Sequence, residues 1–284
     1  MGLKCYALSK KSYNWIHKIL IDFYTFSEGN VEKTRLIDYA QYLFTKYPAY
    51  SSRHKHFVYI RNFITYLSRT RDEPTLSLLL VYFEMPKVRR EVKLLTSRII
   101  TRDDVRNALS VIHHSALPEK AKQNYCCAIL FLAYSGQRVI TACRITVGQF
   151  RDALNQSLPV LTVYAKQDKI RLEHYVPLHP LIIQNLLYAI EGRSSDECLF
   201  SYEGLKQWLS RNPVPLSQTK GNLQLKDLRK FFEQKSDEIG FTDANKNFIM
   251  SHGVSSINWT SYKQFLPENV YKRYMECWGR VEIV

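Results

Sequence analysis

Leu158-Pro159-Val160-Leu161-Thr162-Val163-Tyr164-Ala165-Lys166, then Gln167-Asp168 and a return through Lys169 to Leu178, is the β-rich passage of a sequence otherwise patterned for helices. β-branched and aromatic residues suit a pleated strand, and a polar pair between two such runs predicts a basic β-hairpin turning at Gln167-Asp168. Upstream, Thr101 precedes Arg102-Asp103-Asp104-Val105 and can cap a helix whose first turn places two acids near the positive end of its dipole. Helical spacing then runs over residues 121–134 and stops at Ser135-Gly136. Beyond the hairpin, helical patterns cover residues 181–190, 202–210, 225–239 and 270–278. The expected fold class is mainly α, α+β: a mixed α/β domain with one small basic hairpin, preceded by a helical domain.

That helical domain is read from residues 1–85. Apolar residues recur three and four apart at Trp15, Ile16, Ile19, Leu20 and Phe23, and again at Phe57, Ile60, Phe63, Ile64 and Leu67. Breaks fall at Ser27-Glu28-Gly29-Asn30, Tyr47-Pro48 and Asp72-Glu73-Pro74, which predicts a small bundle with short loops. A basic, proline-containing stretch without amphipathic period follows, Glu84-Met85-Pro86-Lys87-Val88-Arg89-Arg90-Glu91-Val92-Lys93. It is expected to form a linker over residues 86–97, with the second domain at 98–284.

The chain is strongly basic, with 40 Lys and Arg against 26 Asp and Glu, a net charge of +14 and a pI near 9.4. A polyanion is the natural partner, nucleic acid first. Residues 1–97 hold 16 Lys and Arg against 8 Asp and Glu, so the smaller part is proportionally the more basic, as expected of a part that grips phosphates without doing chemistry. No run approaches the ~18–20 apolar residues that span a bilayer, and the start lacks a signal peptide's apolar core, so an intracellular protein without a membrane partner is expected. The six cysteines lack Cys-x-x-Cys or Cys/His spacing, which predicts free thiols and no metal site; Cys126-Cys127 lies in an apolar run and reads as buried core.

Metal-free phosphoryl transfer on DNA needs a nucleophile, cations on the non-bridging oxygens and an acid for the leaving alkoxide. Candidates for each are present. Arg138 stands in Tyr134-Ser135-Gly136-Gln137-Arg138-Val139-Ile140, after a glycine that permits close backbone approach to a phosphate. Lys226 and Arg229, in Lys226-Asp227-Leu228-Arg229, are three apart and share a helix face, although a surface ion-pair network through Asp227 is the plainer reading of that segment alone. Phe248-Ile249-Met250-Ser251-His252-Gly253 then precedes Asn258-Trp259-Thr260-Ser261-Tyr262-Lys263-Gln264-Phe265.

Taken in order, Gly136-Gln137-Arg138, the hairpin lysine, Lys226-Asp227-Leu228-Arg229, Ser251-His252-Gly253 and Tyr262 resemble the signature of the tyrosine recombinase/integrase family, over about residues 98–275. The resemblance implies that residues 1–85 form a core-binding domain, that 98–284 is catalytic, and that both close around duplex DNA. It implies that Tyr262 attacks the scissile phosphate to form a 3′-phosphotyrosyl link, that Arg138 and Arg229 clamp the phosphate oxygens, and that Lys166 protonates the departing 5′-hydroxyl. Lys226 takes a position assigned to proton transfer at the nucleophile, and His252 donates a hydrogen bond to the phosphate or the tyrosine oxygen. Lys87, Arg89, Arg90 and Lys93 would track the DNA backbone. Lys166-Gln167-Asp168-Lys169-Ile170-Arg171 matches the family's hairpin turn, with Lys169 a rival to Lys166, while the distance onward to Pro177-Leu178 is about three residues longer than the family's usual one.

Two further departures carry information. Family members often place an acid three residues after the first arginine, where this chain has Thr141, so the support of Arg138 must be built differently. The gap from His252 to Tyr262 and the segment Leu266-Pro267-Glu268-Asn269-Val270-Tyr271-Lys272-Arg273-Tyr274 look most like archaeal virus and plasmid integrases. The implied activity is site-specific recombination that integrates or excises a mobile element, by a homo-tetramer on paired double-stranded DNA attachment sites, with no metal or cofactor. The alternatives are a catalytically inactive DNA-binding protein of the same fold and a type IB topoisomerase.

Overall fold

The computed structural model describes residues 10–86, 98–252 and 265–283. The chain divides into two compact units, Met1–Lys93 and Leu94–Val284. The linker residues Lys87, Arg89, Arg90 and Lys93 lie outside the described residues, and so does Tyr262.

The first unit is helical. Helices α1 (Lys10–Ser27), α2 (Lys33–Lys46), α3 (Tyr50–Thr70) and the short α4 (Pro74–Leu78) are followed by a 3₁₀ turn over Leu79–Tyr82. Two of the breaks have a plain local cause. After α1, Glu28 and Gly29 both take positive φ, and Pro74 opens α4, where a missing N–H costs nothing. The apolar stripes meet in one core of Ile19, Phe23, Leu36, Tyr39, Leu43, Phe57, Ile60, Ile64 and Phe83. Trp15, counted in the first stripe, instead lies at the edge of the bundle, 37% exposed, its ring edge-on to His56 and Tyr59.

The second unit is built around a buried helix. Helix α5 (Arg102–His113) starts as expected, with a capping box in which the Thr101 hydroxyl accepts from the Asp104 amide at 3.1 Å while Asp104 accepts from the Thr101 amide at 2.8 Å. Helix α6 (Glu119–Ser135) is buried continuously from Cys127 to Ser135, the mark of a helix enclosed on all sides. The short α7 (Val139–Ala142) and α8 (Val147–Leu154) lead to the hairpin. Helices α9 (Pro180–Ala189), α10 (Tyr202–Arg211), α11 (Leu225–Glu238), α12 (Asp243–Ile249) and α13 (Pro267–Trp278) complete the unit. Helix α6 packs against α5, α9 and α11, and the ends of α6 and α13 meet the middle of α11 through Tyr134, Phe232, Tyr274 and Trp278. Cys127 is buried, Cys126 partly so, and burial pushes their thiols up to about 12 and about 11.

The hairpin corrects one expectation. Strands β1 (Val160–Val163) and β2 (His174–Pro177) pair antiparallel with Val160 opposite Pro177 and Val163 opposite His174. Their connection therefore spans residues 164–173, and Gln167-Asp168 is not a two-residue turn. Both side chains are buried rather than at a solvent-facing tip. Gln167 accepts from the Tyr164 amide and donates to Gln149 and to the Arg144 carbonyl, so tertiary hydrogen bonds hold this loop open where local turn chemistry would have closed it. The extra residues before Pro177 are accommodated by this longer connection.

Candidate active site

Two helix ends build the centre of the site. Helix α6 stops at Gly136, which takes the left-handed conformation at φ 60° and donates its amide to the Leu132 carbonyl. A Cβ at this position would lie 2.4 Å from Phe232 Cδ1, so glycine is required for close approach as well as for conformation. Gly136→Ala is expected to destabilise the protein by about 2–4 kcal/mol, combining left-handed strain with overpacking against Phe232. A urea unfolding midpoint unchanged from wild type would refute this.

Helix α12 ends in a Schellman motif, the Ser251 amide bonding the Phe248 carbonyl and the His252 amide reaching the Asn247 carbonyl at 2.8 Å. Ser251 occupies the left-handed position at φ 52°, where glycine is usual. Its hydroxyl donates to Asp168 Oδ2 at 2.7 Å, an interaction glycine could not make.

The arginines of the motifs are rooted on these two ends. Arg138, in extended conformation just before α7, donates from Nη2 to the Ser251 carbonyl at 3.0 Å and from Nη1 to Asp168 Oδ1 at 3.1 Å. Arg229, one turn into α11, donates from Nη1 to the Gly136 carbonyl at 2.7 Å and the Met250 carbonyl at 2.8 Å. Its Nη2 is buried and has no hydrogen-bond partner among the described residues. Burial, with the adjacent Arg138 charge, pushes the Arg229 guanidinium down to about 10, which leaves it cationic at neutral pH. Two neighbouring guanidinium groups with a buried donor unfilled form a site that favours an anion.

The other motif residues stand as follows. Lys226 is exposed on the first turn of α11 and lines a cleft with Val139, next to Arg138. Among the described residues no ion-pair network forms around Lys226 or Arg229: Asp227 is buried, accepts from the Gln224 amide at 2.9 Å and pairs with Arg98 at 3.0 Å. His252 is exposed and follows the strained Ser251 directly. Lys166 and Lys169 flank the buried Gln167-Asp168 pair, and both side chains are exposed. The structure thus brings Arg138, Arg229 and the Ser251-His252 peptide together, with the lysine-bearing loop tied to them through Asp168; Tyr262 is outside the described residues.

Three contributors have no role assigned from the sequence: Asp168, Ser251, and a buried relay in which Gln137 donates to the Ile249 carbonyl while His174 Nε2 lies 3.1 Å from Gln137 Oε1. Burial pushes the His174 imidazole below its ordinary value, favouring the neutral ring. For Asp168 the available signal was indirect, the lack of an acid at Thr141. Burial raises its carboxyl, but the Ser251 hydroxyl, the Ile170 amide and the Arg138 charge together outweigh burial and hold it below the usual carboxylate range.

No protein-family model and no curated protein matches the sequence. Among solved structures, the chain is similar to a lambda integrase (75–356) dimer bound to a COC′ core site, with a TM-score of 0.60 at 14% identity over 99% of this chain and 95% of that one. It is similar to the Tn1549 transposon integrase in complex with transposon right end DNA, with a TM-score of 0.55 at 16% identity over 96% and 95% of the two chains. A third similarity is to the XerH site-specific recombinase bound to difH substrate, with a TM-score of 0.52 at 14% identity over 86% and 70%. Mostly helical with one small antiparallel hairpin, the chain has the tyrosine recombinase fold.

Proposed function

We propose that the protein is a site-specific DNA recombinase that breaks and rejoins DNA through a covalent 3′-phosphotyrosyl intermediate, integrating or excising a mobile element of an archaeal virus or plasmid. The observation that carries this reading is the paired Arg138 and Arg229, the first anchored to the Ser251 carbonyl and Asp168 and the second to the Gly136 and Met250 carbonyls, with the buried Arg229 Nη2 unfilled among the described residues. A phosphate between them gains charge-assisted hydrogen bonds, and these strengthen as negative charge builds on the pentacovalent transition state.

In the proposed reaction, the Tyr262 oxygen attacks phosphorus, its proton passing toward Lys226, while the bond from phosphorus to the 5′ oxygen breaks. Lys166, or its loop neighbour Lys169, gives a proton to that oxygen, and His252 hydrogen-bonds the phosphate. Reversal by a 5′-hydroxyl of the partner strand rejoins DNA without ATP, because the phosphotyrosyl bond keeps the energy of the phosphodiester. The basic first unit grips the phosphate backbone, joined by Lys87, Arg89, Arg90 and Lys93, and a homo-tetramer assembles on paired attachment sites inside the cell. Among the described residues no helix is long and apolar enough to cross a membrane.

The test is a suicide half-site from the element's own attachment site, incubated in excess EDTA and run on a denaturing gel. A covalent protein–DNA adduct is expected, because arginine and lysine take the charge-neutralising role that Mg²⁺ plays in many phosphoryl transferases. Activity restored only by a divalent ion would identify a metal nuclease, and binding with no adduct an inactive DNA-binding protein. Relaxation of a plasmid that lacks any target site would favour a type IB topoisomerase.

A further inference from the structure

We propose that Asp168 is the positioning residue that holds Arg138 against the scissile phosphate, a carboxylate delivered from the hairpin loop to the place beside Thr141. The proposal rests on the recombinase reading and deepens it. Asp168 Oδ1 accepts from Arg138 Nη1 at 3.1 Å and from the Thr141 hydroxyl at 3.3 Å. Its Oδ2 accepts from the Ser251 hydroxyl at 2.7 Å and the Ile170 amide at 3.1 Å. The carboxylate is 3% exposed and both its oxygens are engaged, so it acts as a fixed acceptor rather than as an acid in the reaction.

The geometry accounts for the missing acid. Arg138 and Thr141 lie one turn apart, and the threonine hydroxyl reaches the same carboxylate oxygen that Arg138 does. A carboxylate on residue 141 would therefore meet Arg138 where Asp168 meets it now. The contacts from Asp168 and the Ser251 carbonyl engage only the two terminal nitrogens of a group with five N–H donors, so donors remain for phosphate oxygens. Holding a long, flexible side chain before substrate arrives removes the rotamer entropy otherwise lost on binding. The same carboxylate ties the loop bearing Lys166 and Lys169 to the Ser251-His252 turn, so one buried group registers three motifs that are far apart in sequence.

The experiment compares Asp168→Asn, Asp168→Ser and the transposed double variant Thr141→Asp with Asp168→Ser, using thermal melting, adduct formation on the suicide half-site, and NMR of the Arg138 Nε–Hε group in the DNA-free protein. Asp168→Asn is expected to slow cleavage ~10–100-fold, the range for removing a group that orients a functional side chain, with DNA affinity little changed. Moving the carboxylate to residue 141 should recover about tenfold over Asp168→Ser, and adding Asp168→Asn to Arg138→Ala should cost little more than Arg138→Ala alone, because the two act as one unit. The Arg138 signal should show restricted motion in wild type and free rotation in Asp168→Asn.

Wild-type cleavage in Asp168→Asn, failure of the transposed variant to recover activity while folded, or multiplying losses with Arg138→Ala would overturn the positioning role. If the wild-type chain forms no adduct, the recombinase reading fails instead. The Arg138 mobility then decides the bracing on its own: a side chain equally restrained in Asp168→Asn and wild type refutes it.

Discussion

Tyr262→Phe is expected to abolish the covalent adduct while leaving affinity for the attachment site nearly unchanged. The substitution removes a single oxygen, the proposed nucleophile, and takes away no positive charge from the proposed, largely electrostatic contact with DNA. Among 19 tyrosines the choice of Tyr262 comes from its place after Ser251-His252-Gly253 and before the segment that becomes α13. Of the nearest competitors, Tyr271 and Tyr274, the second is constrained by the fold. Tyr274 is fully buried, donates to the Tyr134 carbonyl at 2.8 Å and stacks on Trp278, and burial drives its hydroxyl far above the ordinary tyrosine range. Tyr274→Phe should therefore affect stability before chemistry, and Tyr271→Phe should cleave at close to the wild-type rate. The measurement is adduct yield on the suicide half-site beside a binding titration with the same DNA. A Tyr262→Phe protein that still forms the adduct would remove this tyrosine from the reaction.

Arg229→Ala is expected to slow cleavage by ~10²–10³, the scale for losing one preorganised donor to a developing oxyanion, with a smaller loss of DNA affinity. The structure adds a second consequence. Arg229 Nη1 bridges the Gly136 and Met250 carbonyls, so truncation leaves two acceptors at the ends of α6 and α12 without their donor. An unsatisfied buried acceptor costs on the order of 1–3 kcal/mol, so a lower melting temperature should accompany the kinetic loss. Arg229→Lys separates these effects: one ammonium can restore charge and contact a carbonyl, but it cannot bridge both and still present a second donor to phosphate. Partial rescue of melting with little rescue of cleavage is the expected pattern. Wild-type cleavage in a folded Arg229→Ala protein would refute the clamp.

How far each feature could be read in the sequence follows from the range of the interactions behind it. The start of α5 is a local matter, since Thr101 and Asp104 satisfy one another within a single turn, and structure and expectation agree there. Helices α6 and α11 were legible from apolar period, within one or two residues at their ends. Helix α12 carried no clear period because it is only seven residues long and buries a charged Lys246, paired with Asp243 and Asp237. The hairpin turn was misread for a related reason: Gln167-Asp168 has turn-like composition, but its side chains are spent on Gln149, Arg144 and Arg138.

The sequence by itself determined the helical periods, the basic excess, the glycine at the end of α6 and the order of the motif residues, because each depends on residue type and short-range spacing. Only the tertiary structure decided what braces those residues. Asp168 stands 30 positions from Arg138 and 83 from Ser251 along the chain, and Arg229 stands 93 from Gly136. A hydrogen bond between groups so far apart leaves no periodic trace in the sequence, and it comes into being when packing of α6, α11, α12 and the hairpin loop brings a buried charge to partners that offset its lost hydration.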